Sequence, residues 1–548
     1  MLTNLHPYTY HKDYNYKVHR NASVMVFRIL NIKSSHCLQF TWKLNAQEKC
    51  TDKLDAAHSI LMRRHTVAFM GFLCSLVMHA QRLNIGIAMV TMVNSTNLFK
   101  LEKSRGSSEC FTGSSNFTSS GTTGGEFSWN PEMQGYILSA GFFGYILTQI
   151  PGGVLARQFG TKPVLLFGVI SASFCNLLSP MAARQHPYFL TAVQLLRGMG
   201  QGLQPPAMSV LMSKWFPRSE RGFLSAFIYC GYPVGAFIAG LSSGALCEME
   251  FMGGWPLVFY TFGAIGVLVG FVITIWFAET PATDPRITKA ELNHILKHQE
   301  NDLTKNRSPT PWAAILTSIS TYAFIMALFG QYWMAFYFLS VHPTYLGTIL
   351  HIPITENGIL SAGSNALQAV VGFCACCLSF WLSRRSQTQI NSVRKGFNLL
   401  SCILFSLGIF GIYLSGCDSL WNTICLFIAT ASVGFGFAGS LITAVDMSPT
   451  FCGPLMGFAS TVASLAGFLI PVTVGQLTND EQNLTQWGKM FLITTAVSAG
   501  SGFVFLIFGS ADIHPYDPAS QKIARKEIST IQENGMHPSK EGISSSRL

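Results

Sequence analysis

Residues 66–93 read TVAFMGFLCSLVMHAQRLNIGIAMVTMV, an apolar run long enough to cross a lipid bilayer. Gln81, Arg82 and Asn84 interrupt this run where lipid-facing side chains are expected. An arginine in a spanning helix costs roughly 2.5 to 3.5 kcal/mol at the bilayer centre and less near an end. Such residues usually face a water-filled cavity or a substrate path. The stretch therefore predicts a membrane helix that carries a functional cation at Arg82.

The whole chain has the composition of a membrane protein. It contains 548 residues, of which 49% are hydrophobic and only 11% charged, whereas soluble proteins average about 25% charged residues. Twelve apolar stretches are candidate spans, and together they predict an all-α membrane protein. The candidate spans are 66–93, 132–155, 161–183, 188–213, 222–246, 256–278, 312–340, 356–381, 396–416, 421–445, 454–477 and 488–510.

The positive charge of the chain follows its predicted topology. The net charge is +10, and basic residues gather in the tails and in the short loops on one side of the predicted membrane. Loop residues of this kind are Arg157, Lys162, Lys214, Arg218, Arg221, Arg384, Arg385, Arg394 and Lys395. Cytoplasmic loops are enriched in Lys and Arg, so both termini are expected in the cytoplasm. The lipid bilayer explains this charge pattern, and we expect no nucleic-acid partner.

Two long loops divide the chain. We expect a cytoplasmic, disordered N-terminal tail at 1–64, followed by six spans at 65–278 that include a glycosylated outer loop at 94–130. A central cytoplasmic loop at 279–311, with a helical pattern at Thr288–Gln299, leads to six more spans at 312–510 and a cytoplasmic C-terminal tail at 511–548. This arrangement predicts two halves of six helices each.

Three glycosylation sequons lie in predicted outer loops. They begin at Asn94, Asn116 and Asn483, and Asn116 is the better acceptor of the first two because Asn94 lies close to the membrane. Cys110, Cys247 and Cys417 also fall near the outer face, where a disulfide could form without its pairing being assignable.

The chain has no pattern that indicates an enzyme. It lacks a phosphate-binding Gly-Lys-Ser/Thr loop, an HExxH pair and a nucleotide-binding segment. We expect no catalytic residues, no metal site and no cofactor. Transport by this chain would draw on ion gradients, with sodium as one candidate coupling ion.

The segment Gly144-Tyr-Ile-Leu-Thr-Gln-Ile-Pro-Gly-Gly153 resembles the signature of solute carrier family 17, which includes sialin, the vesicular glutamate transporters and the sodium-phosphate cotransporters. Four further segments resemble the family in the same order along the chain. They begin at Arg82 (RLNIGIA), Lys214 (KWFP, with Glu220 and Arg221), Gly254 (GWPLVFY) and Val393 (VRK). The resemblance implies a major facilitator fold with twelve transmembrane helices in two pseudo-symmetric six-helix bundles that work by alternating access.

Two features place the chain nearest the sodium-phosphate and organic-anion branch. The segment Glu356–Ser361, after Leu350-His351, is similar to that branch. Gln201 stands where sialin and the glutamate transporters have a glutamate implicated in proton coupling. A glutamine does not exchange protons in the physiological range, so Gln201 weakens a proton-coupled interpretation.

The chain also departs from family patterns in ways that lower its fixed positive charge. Gln194 replaces an arginine of the glutamate transporters, although Arg197 follows three residues later on roughly the same helix face. Gln331 replaces a second family arginine, and Thr450 a third. The acidic residue of the facilitator gating motif is absent at Ala156. The replaced arginines leave fewer fixed positive charges, which suits a smaller, singly charged or a bulkier aromatic anion better than a dicarboxylate.

Seven residues are predicted to bind substrate, and each has an alternative role. Arg82 could extend to the membrane interface instead, and Asn84 could bond a neighbouring helix. Arg197 could brace helices, although Gln194 and Gln201 form one polar stripe with it that must face protein or water. Aromatic and amide residues of span seven could simply fill space. The predicted set is Arg82, Asn84, Gln194, Arg197, Gln201, Gln331 and Tyr332.

The expected function is secondary active transport of a small anion, either inorganic phosphate or an organic anion such as urate, coupled to sodium or driven by voltage. A proton-coupled, sialin-like transporter of sialic acid or acidic amino acids is the alternative, with His79 or Asp446 relaying the proton. A non-transporting receptor or scaffold is an alternative of another class. We expect a monomer in the plasma membrane or in an endolysosomal or vesicular membrane.

Overall fold

A computed structural model describes residues 62–93, 125–249, 251–298, 309–350, 352, 354–385, 390–478 and 483–520. Asn94, Asn116 and Cys110 lie outside these residues, so the two sequons and any disulfide at Cys110 stay predictions. In the described part, Cys417 is disulfide-bonded whereas Cys247 is a free thiol. Asn483 caps the last long helix by accepting a hydrogen bond from the Gln486 N–H at 2.9 Å.

The first half of the chain forms six rods of helix, here called the N bundle. Its helices are α1 (Arg63–Met92), α2 (Pro131–Gln158), α3 (Thr161–Gln185), α4 (Pro187–Gly202), α5 (Gln204–Trp215), α6 (Arg218–Tyr229), α7 (Gly231–Cys247) and α8 (Trp255–Trp276). Helices α4 and α5 form one rod that is interrupted at Leu203, and α6 and α7 form another that is interrupted at Cys230. A short helix, α9 (Lys289–His298), follows in the central loop.

The second half forms the C bundle. Its helices are α10 (Trp312–Thr317), α11 (Ile319–Phe336), α12 (His342–Thr348), α13 (Ile354–Arg385), α14 (Ile390–Ser415), α15 (Ser419–Val433), α16 (Ser440–Met447), α17 (Cys452–Ser464), α18 (Ala466–Thr478) and α19 (Leu484–Phe508). A π-helical turn at Tyr337–Val341 joins α11 to α12, and a 3₁₀ turn at Gly434–Phe437 lies between α15 and α16.

Helical rods occupy all twelve predicted spans, which confirms the predicted fold class. Eleven of the described rods are long and apolar enough to cross a membrane. The remaining rod, α4–α5, contains Gln194, Arg197, Gln201 and Gln204 and is largely buried among its neighbours. Its polar side chains are shielded from lipid by protein, as buried ionisable groups in membranes require.

Glycine allows the helices of the N bundle to touch along their backbones. A Cβ atom added at Gly144 of α2 would overlap the carbonyl oxygen of Leu195 in α4, and one added at Gly198 of α4 would overlap that of Gly141 in α2. Small residues at such crossings permit the close backbone approach that drives helix association in lipid. The glycines of the signature segment therefore set the distance between α2 and α4.

The central loop is fastened to the start of α1. Both carboxylate oxygens of Glu291 in α9 accept hydrogen bonds, at 3.0 Å each, from the backbone N–H groups of Arg63 and Arg64. Asp284 accepts a 2.8 Å charged bond from Arg63 and bonds Arg286 as well. Burial would raise the pKa of Asp284, but the bonds from Arg286 and Arg63 outweigh burial and hold that pKa below its usual range.

We predict that Gly144→Leu destabilises the protein, because the new side chain must displace the α4 backbone. Overpacking of this kind costs about 1–3 kcal/mol of the free energy of unfolding, which thermal unfolding in detergent would detect. Gly135→Leu is the matched control, since a Cβ atom at Gly135 of the same helix meets no other atom within 4 Å. Equal melting temperatures for the two variants would contradict the packing role of Gly144.

Candidate functional site

Polar and aromatic side chains from both bundles meet around Arg82. We call the group of Arg82, Tyr145, Gln201, Tyr232 and Tyr332 the central site. Arg82 lies on α1, Tyr145 on α2, Gln201 on α4 and Tyr232 on α7, whereas Tyr332 comes from α11 of the C bundle. The site therefore lies between the two halves of the molecule.

Arg82 is held in place by two contacts. Its guanidinium lies over the Tyr145 ring, 4.0 Å from the centroid, and its Nε–H donates to Oε1 of Gln201 at 3.3 Å. The Gln201 amide in turn donates from Nε2 to the backbone carbonyl of Met78 at 3.0 Å. Among the described residues no carboxylate pairs with Arg82, so its two terminal amino groups can bind an anion. A guanidinium binds carboxylate and phosphate groups in this bidentate way.

Three tyrosines and a histidine surround this arginine. Tyr332 is half-buried and lies within electrostatic reach of Tyr145 and Tyr232. His79, one turn from Arg82 on α1, is half-buried against Tyr232, with ring centroids 5.4 Å apart. These groups offer hydroxyl donors and aromatic faces beside the guanidinium.

Arg197 lies close to Arg82 but is turned away from the half-buried surface. It is only 2% exposed, and its Nη1 donates to the backbone carbonyl of Gln81 at 2.6 Å. This bond ties α4 to α1, which corresponds to the bracing alternative. Its charge still adds to the positive potential around Arg82.

The structure places Asn84 and Gln194 in contacts between helices. Asn84 donates to the Asn176 side chain of α3 at 3.2 Å, and Gln194 donates to the Ser179 hydroxyl at 3.1 Å. Both side chains are fully buried. They join α1 and α4 to α3, and their predicted role in substrate binding stays untested.

Gln331 is likewise buried inside the C bundle. Its Nε2 lies 3.4 Å from Oδ1 of Asn398 and 3.2 Å from the Ser401 hydroxyl, both on α14. The backbone of Gly436 lies against its Oε1. Gln331 therefore braces α11 in this structure, whereas its chain neighbour Tyr332 faces the central site.

Sequence reasoning did not assign Tyr145 and Tyr232 to the site. Tyr145 lies within the signature segment that begins at Gly144. An aromatic residue in that segment could have been proposed as a site residue from the sequence alone. Tyr232 had no such sequence signal, because only the packing of α7 against α1 within the N bundle brings it beside His79 and Arg82.

A separate groove lies on the outside of the C bundle. It has a volume of about 450 Å³ and is lined almost wholly by apolar side chains, including Leu367, Leu404, Phe427 and Phe435. Its lining has no charged residue, so it does not offer the chemistry of an anion site and is distinct from the central site.

Ionic and polar contacts close one end of the molecule between the bundles. We call this the basic end, because it carries Arg157, Arg221 and Arg394. Asp446 of α16 is fully buried and accepts bonds from Arg221 of the N bundle at 3.1 Å and from Arg394 of the C bundle at 2.8 Å. The Cys452 thiol donates to the backbone carbonyl of Ser209 across the same boundary at 3.4 Å. Asp446 is thus committed to two arginines and does not line the central site.

Comparison with known proteins yields consistent matches. The profile of the Major Facilitator Superfamily matches residues 71–471. Sialin of Ovis aries is 31% identical over 82% of this chain and 90% of its own length. Sodium-dependent phosphate transport protein 1 of Oryctolagus cuniculus is 29% identical over 84% of this chain and 96% of its own length. A solved structure of the proton:xylose symporter XylE aligns with a TM-score of 0.60 at 11% identity, covering 82% of this chain and 97% of that one, and so shares its fold.

We predict that Gln331→Leu lowers stability, because it leaves the buried Asn398 side chain without its partner. The expected loss is about 1–3 kcal/mol in the free energy of unfolding, measured by thermal unfolding. Gln476→Leu, at an exposed position of α18, is the control and should leave the melting temperature unchanged. An unchanged melting temperature together with weakened anion binding would instead support the predicted substrate contact.

Proposed function

Because the chain belongs to the major facilitator superfamily, and within it to solute carrier family 17, we propose that it is a secondary active transporter of small anions. Its substrate is inorganic phosphate or an organic anion such as urate, and sodium or the membrane potential drives the transport. The protein spans the membrane many times and acts by transport, without enzymatic chemistry.

Arg82 carries this proposal. Its guanidinium is only half-buried, is oriented by Tyr145 and Gln201, and has no acidic partner in the described part of the chain. A structural arginine in a membrane is normally neutralised by a carboxylate or by backbone carbonyls. Among the described residues, Arg82 is the charged group at the junction of the bundles that has neither a carboxylate nor a backbone carbonyl as a partner, and a cation in this position favours an anionic substrate.

The contacts at the basic end support an alternating-access mechanism. Asp446 and Cys452 link the bundles there, while Arg82 is still partly accessible. We assign the basic end to the cytoplasm because basic loops stay on that side. In this state the transporter is closed to the cytoplasm, and transport requires these contacts to part as the bundles rock about the central site.

The charge of the substrate limits how transport is driven. Moving one elementary charge across 100 mV is worth about 2.3 kcal/mol. In a cell with a negative interior, potential alone powers outward movement of an anion, whereas uptake needs cation entry. We propose a monomeric transporter in the plasma membrane or in an endolysosomal or vesicular membrane, with both termini in the cytoplasm.

Proton coupling, as in the name of the related sugar symporter, is the second candidate. One observation favours it: His79, a titratable side chain, is half-buried beside Tyr232 of the central site. Gln201 argues against it, because an amide cannot take up a proton at that place. Asp446 is a poor relay, because both its oxygens are bound to arginines.

We predict that purified protein in proteoliposomes takes up labelled phosphate or urate under an inward sodium gradient or an inside-positive potassium-diffusion potential. Arg82→Ala should reduce this uptake at least about tenfold, since a charge-assisted hydrogen bond is worth about 1.5–3 kcal/mol. Arg184→Ala, which removes a half-exposed arginine paired with Glu126, should leave uptake unchanged.

The same uptake assay is also run with sialic acid as the substrate and with a proton gradient as the driving force. Uptake that follows only the proton gradient would contradict the proposed coupling and favour the sialin-like alternative. If no gradient drives uptake of any of the three anions, and Arg82→Ala leaves the protein's other interactions intact, the receptor or scaffold interpretation replaces transport.

We also predict that Gln201→Glu makes uptake dependent on pH. The new carboxylate would lie against Nε of Arg82 and, when ionised, would compete with the substrate anion for the guanidinium. Uptake at neutral pH should therefore fall, and it should recover as the pH is lowered and the carboxylate takes up a proton. Gln204→Glu, one turn further along at a buried position bonded to Ser75, is the comparison. An identical pH profile for both variants would contradict a direct Gln201–Arg82 interaction.

A further inference from the structure

Residues 511–520 follow the last long helix and pack back against the basic end of the C bundle. We call them the C-terminal strap. Asp517 lies at its centre and is fully buried. A carboxylate is buried in proteins only where hydrogen bonds replace its water, so the partners of Asp517 indicate what the strap holds.

Asp517 binds the turn between α16 and α17. Its Oδ2 accepts hydrogen bonds from the Ser448 hydroxyl at 2.7 Å and the Thr450 backbone N–H at 2.9 Å. Its Oδ1 accepts from the Thr450 hydroxyl at 2.7 Å and from the Ala519 backbone N–H at 2.9 Å. Four donors thus converge on one carboxylate. The Thr450 hydroxyl is one of these donors, at a position where the family has an arginine.

The strap is fastened to three other helix ends. The backbone N–H of Ala511 donates to Asn391 at the start of α14 at 3.0 Å. His514 donates its backbone N–H to the carbonyl of Met447 at 2.9 Å, and its ring nitrogen lies 3.0 Å from the hydroxyl of Ser318, which caps α11. The strap therefore joins the basic ends of α11, α14 and α16 into one unit.

The turn that Asp517 holds contacts the N bundle. Phe451 ends this turn and is buried, and the guanidinium of Arg157, at the end of α2, lies 4.5 Å from the centroid of its ring. Asp517 also attracts Arg157 electrostatically. At the same boundary a Cβ atom added at Gly153 of α2 would overlap the carbonyl of Gly453, just after Phe451. The position of the turn thus decides how closely the two bundles meet.

We propose that the C-terminal strap is part of the cytoplasmic closure of this transporter and that Asp517 is its positioning residue. Asp517 fixes the turn 448–451 so that Phe451 and Gly453 meet α2, and it thereby stabilises the state closed at the basic end. The C-terminal segment consequently sets the balance between the two access states. This inference rests on the alternating-access function proposed above.

Closure can be measured without transport, because Cys452 is a native reporter. Its thiol is 1% exposed and faces Ser209 across the boundary between the bundles. Full-length protein in detergent is treated with a maleimide, and labelling of the Cys452 peptide is followed by mass spectrometry. Asp517→Ala should raise the labelling rate at least about tenfold, because several hydrogen bonds to a charged group are lost. Thr450→Val removes one of the four hydrogen bonds to Asp517 and should give a smaller increase.

Asp512→Ala is the matched control, because Asp512 is an exposed aspartate of the same strap; it should label like the unchanged protein. Cys402 of α14, which is buried within the C bundle against Ser501 of α19, reports general unfolding and should stay unlabelled in every variant. Arg157→Ala combined with Asp517→Ala should label no faster than the stronger single variant, since both changes act on one contact.

Unchanged Cys452 labelling in folded Asp517→Ala and Thr450→Val would overturn the proposal, whatever their melting temperatures. Equal acceleration at Cys402 would also overturn it, because Asp517 would then only stabilise the C bundle. If the strap variants label as predicted but the protein transports none of the anions, the closure proposal stands. Only the proposed transport function is then contradicted.

Discussion

The bilayer interior leaves a charged or polar side chain two stable environments: pairing within protein or contact with a water-filled space. The N bundle uses both solutions within one turn of helix. Gln81 and Asn84 on α1 are paired with neighbouring helices, whereas Arg82 between them is stacked on Tyr145 and stays half-buried. Within this turn Arg82 is therefore the polar residue left accessible to a ligand, and the other described side chains of the central site lie around it.

Close helix packing makes that arrangement rigid. The glycines of α2 let α4 approach until Gln201 reaches Arg82, and Arg197 reaches the backbone of α1. A guanidinium that is fixed in this way loses little conformational freedom when it binds an anion, which favours affinity. Glycine packing, which looks purely structural in the sequence, is thus a condition for the geometry of the site.

The sequence predicted the architecture better than the site. Apolar runs of about 20 residues have few other folds available to them, so all twelve rods were foreseen. The breaks at Leu203 and Gly434–Phe437 were not, because they depend on packing against other helices. Arg82 stood out by its energetic cost alone. Gln331 and Asn84 carried the same kind of signal, yet they bond neighbouring helices, and periodicity cannot tell which neighbour a polar face will meet. Tyr232 became visible only when α7 was packed against α1.

The pairing at Asp446 shows how a membrane protein can keep a charged contact that must also break. Removing one partner from a buried ion pair is strongly unfavourable when the remaining charge has no other partner. Asp446 avoids this, since Arg394 belongs to its own bundle and also donates to the Ala438 carbonyl and the Ser379 hydroxyl. If the bundles part, the acid keeps Arg394, and only Arg221 must be solvated, at the end of the molecule nearest to water. Sharing one carboxylate between two arginines therefore lowers the free energy of opening, while the Arg221–Asp446 contact still defines how the bundles meet in the closed state. A single ion pair across the bundles would leave its carboxylate unpaired on opening.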